Sequence, residues 1–160
     1  MDEALVVVFL YEVRECLPEG FEALLTDSLN DGYQFLQRLK DEWFSGANCF
    51  ARPGECLRAA CEEDRLIGIG GINIDPYLND PTRGRIRHLY VHSNFRRKSV
   101  ASLILRTLEK DAVCHFHTLT LRTNNPEADL FYLKLGFLRV QGHSFVTHQK
   151  VLGSLDPRVS

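Results

Sequence analysis

Residues 89–102 read Leu-Tyr-Val-His-Ser-Asn-Phe-Arg-Arg-Lys-Ser-Val-Ala-Ser, and this stretch joins two elements that decide the fold. Its first residues end an alternating segment, 85–92, which predicts a β-strand. Its last residues begin a segment, 99–110, that predicts a helix, because its apolar residues recur at helical spacing. The side chains that we expect on the buried face of this helix are Val100, Leu103, Ile104 and Leu108. A strand that leads directly into a helix indicates some parallel pairing in the sheet.

Three consecutive cations, Arg96, Arg97 and Lys98, stand where this helix begins. Their charge has the wrong sign for a helix N-terminus, and each could cost ~0.3–1 kcal/mol there. The arrangement becomes favourable when an anion occupies the turn, because free backbone N–H groups and neighbouring cations together bind phosphate. The small side chains that leave room for such an anion are Ser99, Ala101 and Ser102. The charge pattern alone does not distinguish this phosphate site from a solvated basic patch.

The elements on either side of this stretch complete a mixed α+β pattern. Hydrophobic periodicity and turn residues predict strands at 5–13, 56–62, 66–74, 85–92, 117–123, 138–141 and 145–152, and helices at 21–29, 33–44, 99–110 and 125–135. The resulting order is β-α-α-β-β-β-α-β-α-β-β, and it predicts a mixed sheet, either α+β or α/β. We expect one domain over residues 1–152 and a frayed C-terminal tail over 153–160.

Length and composition limit the class of protein. The chain has 160 residues, a formal net charge of −2 and 44% hydrophobic residues, which suits one globular domain. A basic nucleic-acid binder is disfavoured, no apolar run reaches the ~18 residues that span a membrane, and we expect no secretory signal. The five cysteines include no C-x-x-C pair, so we expect reduced thiols, no metal site and a cytoplasmic location.

The glycine-rich stretch 68–73 does not match a nucleotide-binding motif. It reads Gly-Ile-Gly-Gly-Ile-Asn, lacks the third glycine of a dinucleotide fingerprint and lies inside a strand pattern. We therefore expect Gly68, Gly70 and Gly71 to allow bulges or the close approach of a neighbouring element.

Two segments together resemble the GNAT superfamily of N-acetyltransferases. Arg96, Ser99 and Ala101 take the places of that family's pattern of Arg or Gln, two residues, Gly, one residue, then Gly or Ala. Residues 125–137 contain the later N-x-x-A-x-x-x-Y-x-K-x-G-F motif in full. The motifs occur in the family's order with one strand between them, and the resemblance implies the GNAT-like acyl-CoA N-acyltransferase fold. The one departure is Ser99, whose side chain stands where glycine is usual.

The resemblance implies transfer of an acetyl group from acetyl-CoA to a primary amine of a small molecule or peptide, by direct attack. The residues that match the family's cofactor contacts are Leu89, Tyr90, Val91, Arg96, Arg97, Lys98, Ser99, Val100, Ala101, Ser102, Asn125 and Ala128. A Cβ at Ser99 could crowd the pyrophosphate or force a different backbone angle, whereas its hydroxyl could donate to a phosphate oxygen.

Catalysis by this route needs groups that move protons. Tyr132 matches the family's tyrosine near the cofactor sulfur and is our candidate general acid for the thiolate. His88 and Glu62 are alternative candidates for the base that takes the amine proton, and the sequence does not decide between them. Strict alternation places His88 on one strand face with Ile86 and Tyr90, where it could equally be a packing residue.

The acceptor is expected to meet segments 21–50 and 138–152, which the resemblance associates with substrate choice. The polar side chains singled out there are Asp27, Asp31, Asp41, Glu42, His143 and His148. Acidic groups suit a cationic amine, but they are equally typical of a solvated face. We expect a small-molecule or peptide amine as partner, no nucleic acid and no membrane, with a homodimer possible. The alternative is a non-catalytic CoA-binding or interaction module with a degenerate pyrophosphate loop.

Overall fold

A computed structural model describes residues 7–97 and 99–153, and its elements follow the predicted order. The strands are β1 (Val8–Glu12), β2 (Cys56–Glu62), β3 (Arg65–Ile74), β4 (Arg83–Val91), β5 (Thr118–Leu121), β6 (Leu138–Arg139) and β7 (His148–Val151). The helices are α1 (Phe21–Asn30), α2 (Phe35–Ser45), α3 (Val100–Ala112) and α4 (Pro126–Lys134), with a short 3-10 turn at Ser93–Phe95. The element order and the mixed α+β class are confirmed. Residues 5 and 6 of the predicted first strand, and 154–160 of the predicted tail, lie outside the described residues.

The strands form one seven-stranded sheet in the order β1-β2-β3-β4-β5-β7-β6. Every pairing is antiparallel except that of β4 with β5, which is parallel. This parallel pairing covers only Arg83–Arg85 against Thr118–Thr120, whereas β4 continues to Val91. The two strands therefore separate toward their carboxyl ends, which is where ligands bind between parallel strands in α/β folds.

Helices cover both faces of the sheet and bury two apolar clusters. The face of α3 and α4 holds a cluster that includes Ile86, Ile104 and Leu119, and the face of α1 and α2 holds one that includes Leu36 and Tyr90. The buried stripe of α3 consists of Val100, Ile104, Leu105, Leu108 and Ala112. Leu103, predicted on this stripe, is instead 37% exposed, because the stripe follows i, i+4 spacing and turns away from it.

The glycines of β3 allow close packing on both faces, as predicted. A Cβ added to Gly70 would lie 2.9 Å from Cγ2 of Ile104 on α3, and one added to Gly71 would lie 2.7 Å from the ring of Phe50. No L side chain fits so close to a packed neighbour without displacing it. These positions therefore bring α3 and the connection after α2 directly onto the sheet.

A bulge in β4 changes which face His88 occupies. The β3–β4 register shifts between Ile69 and Gly71, whose partners are Tyr90 and Arg87, so β4 carries one extra residue here. His88 takes up the extra length in a left-handed conformation, with φ +59°. Its ring packs near Phe35, on the α1 and α2 face, with Tyr90 but opposite Ile86. Strict alternation was therefore wrong for the pair His88 and Ile86.

Candidate functional site

A cleft of about 570 Å³ lies between the start of α3 and the outer side of α4. The predicted cofactor residues that line it are Val91, Arg96, Arg97, Ser99, Val100, Ala101 and Ser102. The predicted residue Lys98 lies outside the described residues. The cleft is therefore built on the stretch that contains the first motif.

The backbone at the start of α3 leaves donors free toward the cleft. Ser99 precedes the helix in a left-handed conformation, with φ +62°, and its side chain makes no capping hydrogen bond. The first N–H group to find a carbonyl within the helix is that of Leu103, which donates to the Ser99 carbonyl oxygen at 3.0 Å. The N–H groups of the first turn thus lack intrahelical acceptors, as at any helix start, and can bind an anion.

Unpaired cations surround these donors. Arg97, Arg106 and Lys134 line the cleft, and within 7–97 and 99–153 no carboxylate lies within ion-pair distance of any of them. Like charges that converge without counterions raise the local affinity for an anion, and free helix N–H groups add to it. The geometry therefore fits a ligand that carries several phosphate charges.

Arg96 differs from these cations, because its guanidinium is already held. It donates to the Asp31 carboxylate at 2.6 Å, to the Tyr90 hydroxyl at 3.0 Å and to the Val91 carbonyl at 3.3 Å. Burial lowers the pKa of Arg96, but the hydrogen bond to Asp31 and the interactions with Tyr90, Asp31 and Asp27 together outweigh it and raise the pKa. Arg96 thus ties the loop before α3 to the end of α1 while one side of it still faces the cleft.

Asp27 completes this network from α1. Its carboxylate accepts from the Tyr90 hydroxyl at 2.6 Å and from the Ser93 hydroxyl at 2.7 Å. Burial raises the pKa of Asp27, yet these hydrogen bonds lower it overall, so the carboxylate is charged at neutral pH. Asp27 and Asp31, singled out in the sequence for a cationic amine, are instead bound to side chains of the protein itself.

Tyr132, the candidate general acid, lies on the inner side of α4. Its ring centroid is 5.2 Å from that of Phe131 and 5.4 Å from that of Phe137. Burial raises the pKa of Tyr132, and no described residue hydrogen-bonds its hydroxyl. Tyr132 does not line the cleft itself but lies directly behind Phe131, which does.

The two candidate bases occupy different surroundings. His88 has both ring nitrogens buried without a hydrogen-bond partner in the part of the chain that the structure describes, and its ring centroid lies 6.1 Å from that of Phe50. Burial, helped by the charges of Arg87 and Arg38, lowers the pKa of His88 to about 3. Glu62 ends β2 beside the turn into β3, opposite Arg65. The structure does not bring His88 and Glu62 together.

Asn125 connects the second motif to the other half of the molecule. Its side-chain oxygen accepts from the backbone N–H groups of Glu127 and Ala128 and so caps α4. Its amide nitrogen donates to the Tyr33 hydroxyl at 2.6 Å. Asn125 and Ala128 do not line the cleft, and neither do Leu89 and Tyr90, which belong to the part of β4 that has no partner in β5.

Sequence reasoning missed several residues of the cleft, namely Phe95, Arg106, Phe131, Lys134 and Leu135. Two of them carried a signal. Arg106 lies four residues after Ser102 on α3, so helical spacing puts it one turn further along the same face. Lys134 belongs to the second motif, where it has no assigned role.

Two further classes of site are absent from residues 7–97 and 99–153. No group of three or more His, Cys, Asp and Glu side chains in these ranges could hold a metal ion. No helix described there has the length and apolar character needed to cross a membrane.

Comparisons with known proteins agree with this architecture. The sequence profile of the acetyltransferase (GNAT) family matches residues 12–137. A putative acetyltransferase from Exiguobacterium sp. 255-15 superposes with a TM-score of 0.81 at 25% identity, covering 91% of this chain and 93% of its own. An aminoglycoside 6'-N-acetyltransferase complexed with coenzyme A gives a TM-score of 0.64 at 17% identity, with 91% and 97% covered.

A ribosomal-protein-alanine N-acetyltransferase from Brucella melitensis gives a TM-score of 0.65 at 19% identity, covering 90% of this chain and 99% of its own. No curated protein matches the sequence closely enough to count as a relative. The family profile spans most of the chain. The chain belongs to the GNAT family of acetyltransferases.

Proposed function

We propose that this protein transfers an acetyl group from acetyl-CoA to a primary amine of a small molecule or peptide. The observation that carries the proposal is the cleft at the start of α3, where free backbone N–H groups meet unpaired cations. We include a cytoplasmic location in the proposal, since all five cysteines are free thiols.

The cleft fits the charged half of coenzyme A, which carries a pyrophosphate and a further phosphate on its ribose. The N–H groups of the first turn of α3 and Arg97 would hold the pyrophosphate. Arg106 and Lys134 extend the positive charge along the cleft, toward the ribose phosphate. The uncharged arm would follow the free edge of β4 up to the separation from β5, where backbone groups can pair with its amides.

Acetyl-CoA supplies a thioester, and attack by the amine forms a C–N bond while the C–S bond breaks. The free backbone N–H groups of β4 are the donors that suit the charge developing on the thioester oxygen. Tyr132 would give its hydroxyl proton to the departing thiolate. A tyrosine hydroxyl holds its proton at neutral pH, and burial raises the pKa of Tyr132 further. Transfer to a thiolate, whose thiol has a pKa of ~8.5, is therefore uphill and depends on help from the site.

The proton on the incoming amine needs an acceptor, and His88 and Glu62 remain the candidates. A buried histidine with a pKa of about 3 is a weak base, which argues against His88. The pH dependence of kcat/KM separates them: Glu62→Gln should shift the acidic limb of the profile and His88→Ala should not. The reverse result would assign the proton to His88.

Calorimetric titration with acetyl-CoA and with CoA, at low and moderate salt, tests the cofactor assignment. We expect saturable binding to both, weaker at the higher salt because the contacts are ionic. Thiol release from acetyl-CoA with a panel of primary amines then tests transfer. Failure to bind either ligand would reject the proposed function.

Tyr132→Phe tests the general acid. Removal of the hydroxyl proton should lower kcat about 10²-fold or more, the usual contribution of a positioned acid, while acetyl-CoA affinity stays the same. Tyr11→Phe, on the exposed side of the edge strand β1, is the matched control. An unchanged kcat in Tyr132→Phe would remove Tyr132 from the mechanism.

The alternative is a module that binds CoA without turnover, and one observation favours it. Ser99 has a left-handed backbone, which glycine adopts at lower cost. Unlike glycine, it also has a Cβ, which stands beside the proposed pyrophosphate position. Turnover with any amine distinguishes the enzyme from the module.

A further inference from the structure

The separation of β4 from β5 forms a window through the sheet, next to the proposed acetyl position. One end of the window is the last β4–β5 pair, Arg85 with Thr120. The other end is the hydrogen bond from Asn125 to Tyr33, which bridges α4 and the segment before α2. Between them, the edge of β4 up to Tyr90 has no partner in β5. A group that enters from the α1 and α2 side can reach this edge opposite the cofactor cleft.

Arginines stand on the α1 and α2 side of this window. Arg87 pairs with Gly71, whose missing Cβ would point at Phe50 on that face, so Arg87 points there as well. Arg85 lies two residues before it on the same strand and has the same orientation. Arg122 follows Thr120 by two residues on the opposite side of the window.

Arg38 completes the group from α2. It lies three residues after Phe35, which packs near His88, and four residues before Glu42, which approaches Arg87. Helical spacing therefore puts Arg38 on the strip of α2 that faces β4. Arg85 is bound to the Phe145 carbonyl and to Asp75, so we call Arg38, Arg87 and Arg122 the arginine rim.

The arginine rim has more positive charge than its neighbours neutralise. Arg85 is held by Asp75 at 3.8 Å, but the carboxylate of Glu42 lies 4.0 Å from Arg87, at the limit of an ion pair. Arg38 and Arg122 are exposed, and within the described ranges neither side chain has an ion pair or a hydrogen bond. Two members of the rim therefore have no counterion, and a third has a distant one.

The rim arginines also act on Arg85 and on His88. Burial lowers the pKa of Arg85, Asp75 and Tyr77 raise it in part, and the charges of Arg87 and Arg122 lower it further. The pKa of His88 falls mainly through burial and partly through Arg87 and Arg38. These effects are those of neighbouring like charges.

We propose that the acceptor amine carries an anionic oxygen group, a carboxylate or a phosphate, that the arginine rim binds as the amine enters the window. This inference rests on the proposed acetyltransferase function and names its substrate class. It replaces the cationic acceptor suggested by the acidic residues of α1, since Asp27 and Asp31 are bound to Tyr90 and Arg96.

The chemistry of guanidinium explains the selectivity. Arginine presents a planar array of donors that matches the two oxygens of a carboxylate or phosphate, often with two parallel hydrogen bonds. The same charges repel a polyamine, so the rim selects against cationic acceptors as well as for anionic ones. An amine with its anionic group a few bonds away would place the anion at the rim and the amine at the window.

Matched pairs of amines test the proposal. Thiol release from acetyl-CoA is measured with tyrosine and tyramine, ornithine and putrescine, and phosphoethanolamine and ethanolamine. We expect kcat/KM at least about tenfold higher for the anionic member of the preferred pair, the scale of one charged hydrogen bond. The first two pairs report on a carboxylate and the third on a phosphate, so the preferred pair identifies the source of the anion.

Variants assign the preference to the rim. Arg122→Gln, at an exposed position whose side chain has no partner among the described residues, should lower kcat/KM about tenfold for the anionic member. It should change kcat/KM for the member without an anionic group less than about twofold. Arg87→Gln should do the same. Arg14→Gln is the control, because Arg14 is exposed and bound to Glu12 beside the far edge strand β1. Acetyl-CoA affinity should be the same in all of these proteins.

Three results would overturn the inference. They are equal or better use of the members without an anionic group, a preference that survives both rim variants, and acetyl-CoA binding without turnover of any anionic member. The first two leave the acetyltransferase standing, and the third leaves the cofactor site standing. A protein that does not bind acetyl-CoA at all would instead reject the proposed function, and the inference with it.

Discussion

The cations of the cleft and the buried cations of the sheet differ in their partners. In the cleft, Arg97, Arg106 and Lys134 lie without carboxylates among the described residues. On β4, Arg85 is 8% exposed, donates to the Phe145 carbonyl at 2.7 Å and lies beside Asp75. The first set is available to a ligand, whereas Arg85 is already committed to the fold.

The contacts of a basic residue, rather than its charge, therefore indicate whether it stabilises the fold or is available to a ligand. Arg58 makes two hydrogen bonds of 2.8 Å with Asp111 and so ties β2 to α3. Arg96 lies in the loop motif but is bound to Asp31, so it belongs partly to each set. Substitutions in the two sets should therefore separate stability from ligand affinity.

The largest effect should follow removal of a partner from the buried set. Asp75→Ala leaves Arg85 without its carboxylate and Thr120 without its acceptor in a site that is nearly closed to water. We expect the free energy of unfolding to fall by about 3–5 kcal/mol, as when one member of a buried ion pair is deleted. Urea unfolding followed by the fluorescence of Trp43, the one tryptophan, measures it.

Asp80→Ala is the matched control for this change. Asp80 lies in the same connection between β3 and β4 and pairs with Arg83, but it is exposed to solvent. Its loss should reduce stability much less than the loss of Asp75. Equal losses would show that the connection, and not the buried ion pair, determines stability.

The next effect concerns His88, a buried titratable group whose ring nitrogens have no geometric hydrogen-bond partner among the described residues. The folded protein keeps His88 neutral down to a pKa of about 3, whereas an unfolded histidine titrates near 6.5. Below pH 6.5 the unfolded chain binds a proton at His88 that the folded protein does not bind. The free energy of unfolding is therefore not reduced by His88 above that pH and decreases as the pH falls below it. From pH 7.5 to 5.5 the loss should be about 1.4 kcal/mol.

His88→Leu isolates this contribution, because leucine does not titrate. Urea unfolding at the two pH values should show the smaller slope in the variant, whatever its absolute stability. An unchanged slope would mean that another histidine carries the acid sensitivity.

Most of the fold could be predicted from the sequence, and so could the part of the candidate site that residues 89–102 form. The element order followed from periodicity, and the cleft followed from cations and small residues at the start of α3. The bulge at His88 could not be predicted, because it depends on register with β3 rather than on a local pattern. The same bulge places Arg87 and His88 together on the α1 and α2 face.

The partners of charged residues were also beyond sequence reasoning. Asp31 and Arg96 are separated by 64 intervening positions and meet only because α1 ends beside the loop before α3. Without that contact, Asp31 resembles a free acid and Arg96 a free cation. Contacts between distant residues decide these roles, and neither periodicity nor motif spacing reports them.

The unpaired set should show the opposite behaviour to Asp75. Arg106→Ala and Lys134→Ala should each weaken acetyl-CoA binding about tenfold, or about 1.4 kcal/mol, with little change in stability. Lys110→Ala, on the same helix as Arg106 but outside the cleft, is the control. Calorimetric titration at two salt concentrations should show that the effect shrinks as salt rises. Affinity equal to that of the parent in both variants would contradict the assignment of these cations to a ligand.

The smallest effect should come from the backbone that carries the cleft. Ser99 has φ +62° and belongs to neither set, but it fixes the direction of the free N–H groups. Glycine adopts this conformation without the side-chain penalty, so Ser99→Gly should raise the free energy of unfolding by about 1 kcal/mol. It should also bind acetyl-CoA at least as tightly, since the Cβ beside the phosphate position is removed.

Ser102→Gly, in the first turn of α3, should instead lower the free energy of unfolding. Its backbone is helical, so glycine there adds chain entropy to the unfolded state and costs about 0.5–1 kcal/mol. If the strain lies at Ser99, urea unfolding of the two variants should give stability changes of opposite sign. Calorimetric titration of both with acetyl-CoA measures the accompanying change in affinity. The same sign in both would mean that the loop relaxes around serine, and that the departure from the family's glycine has no energetic consequence for the cleft.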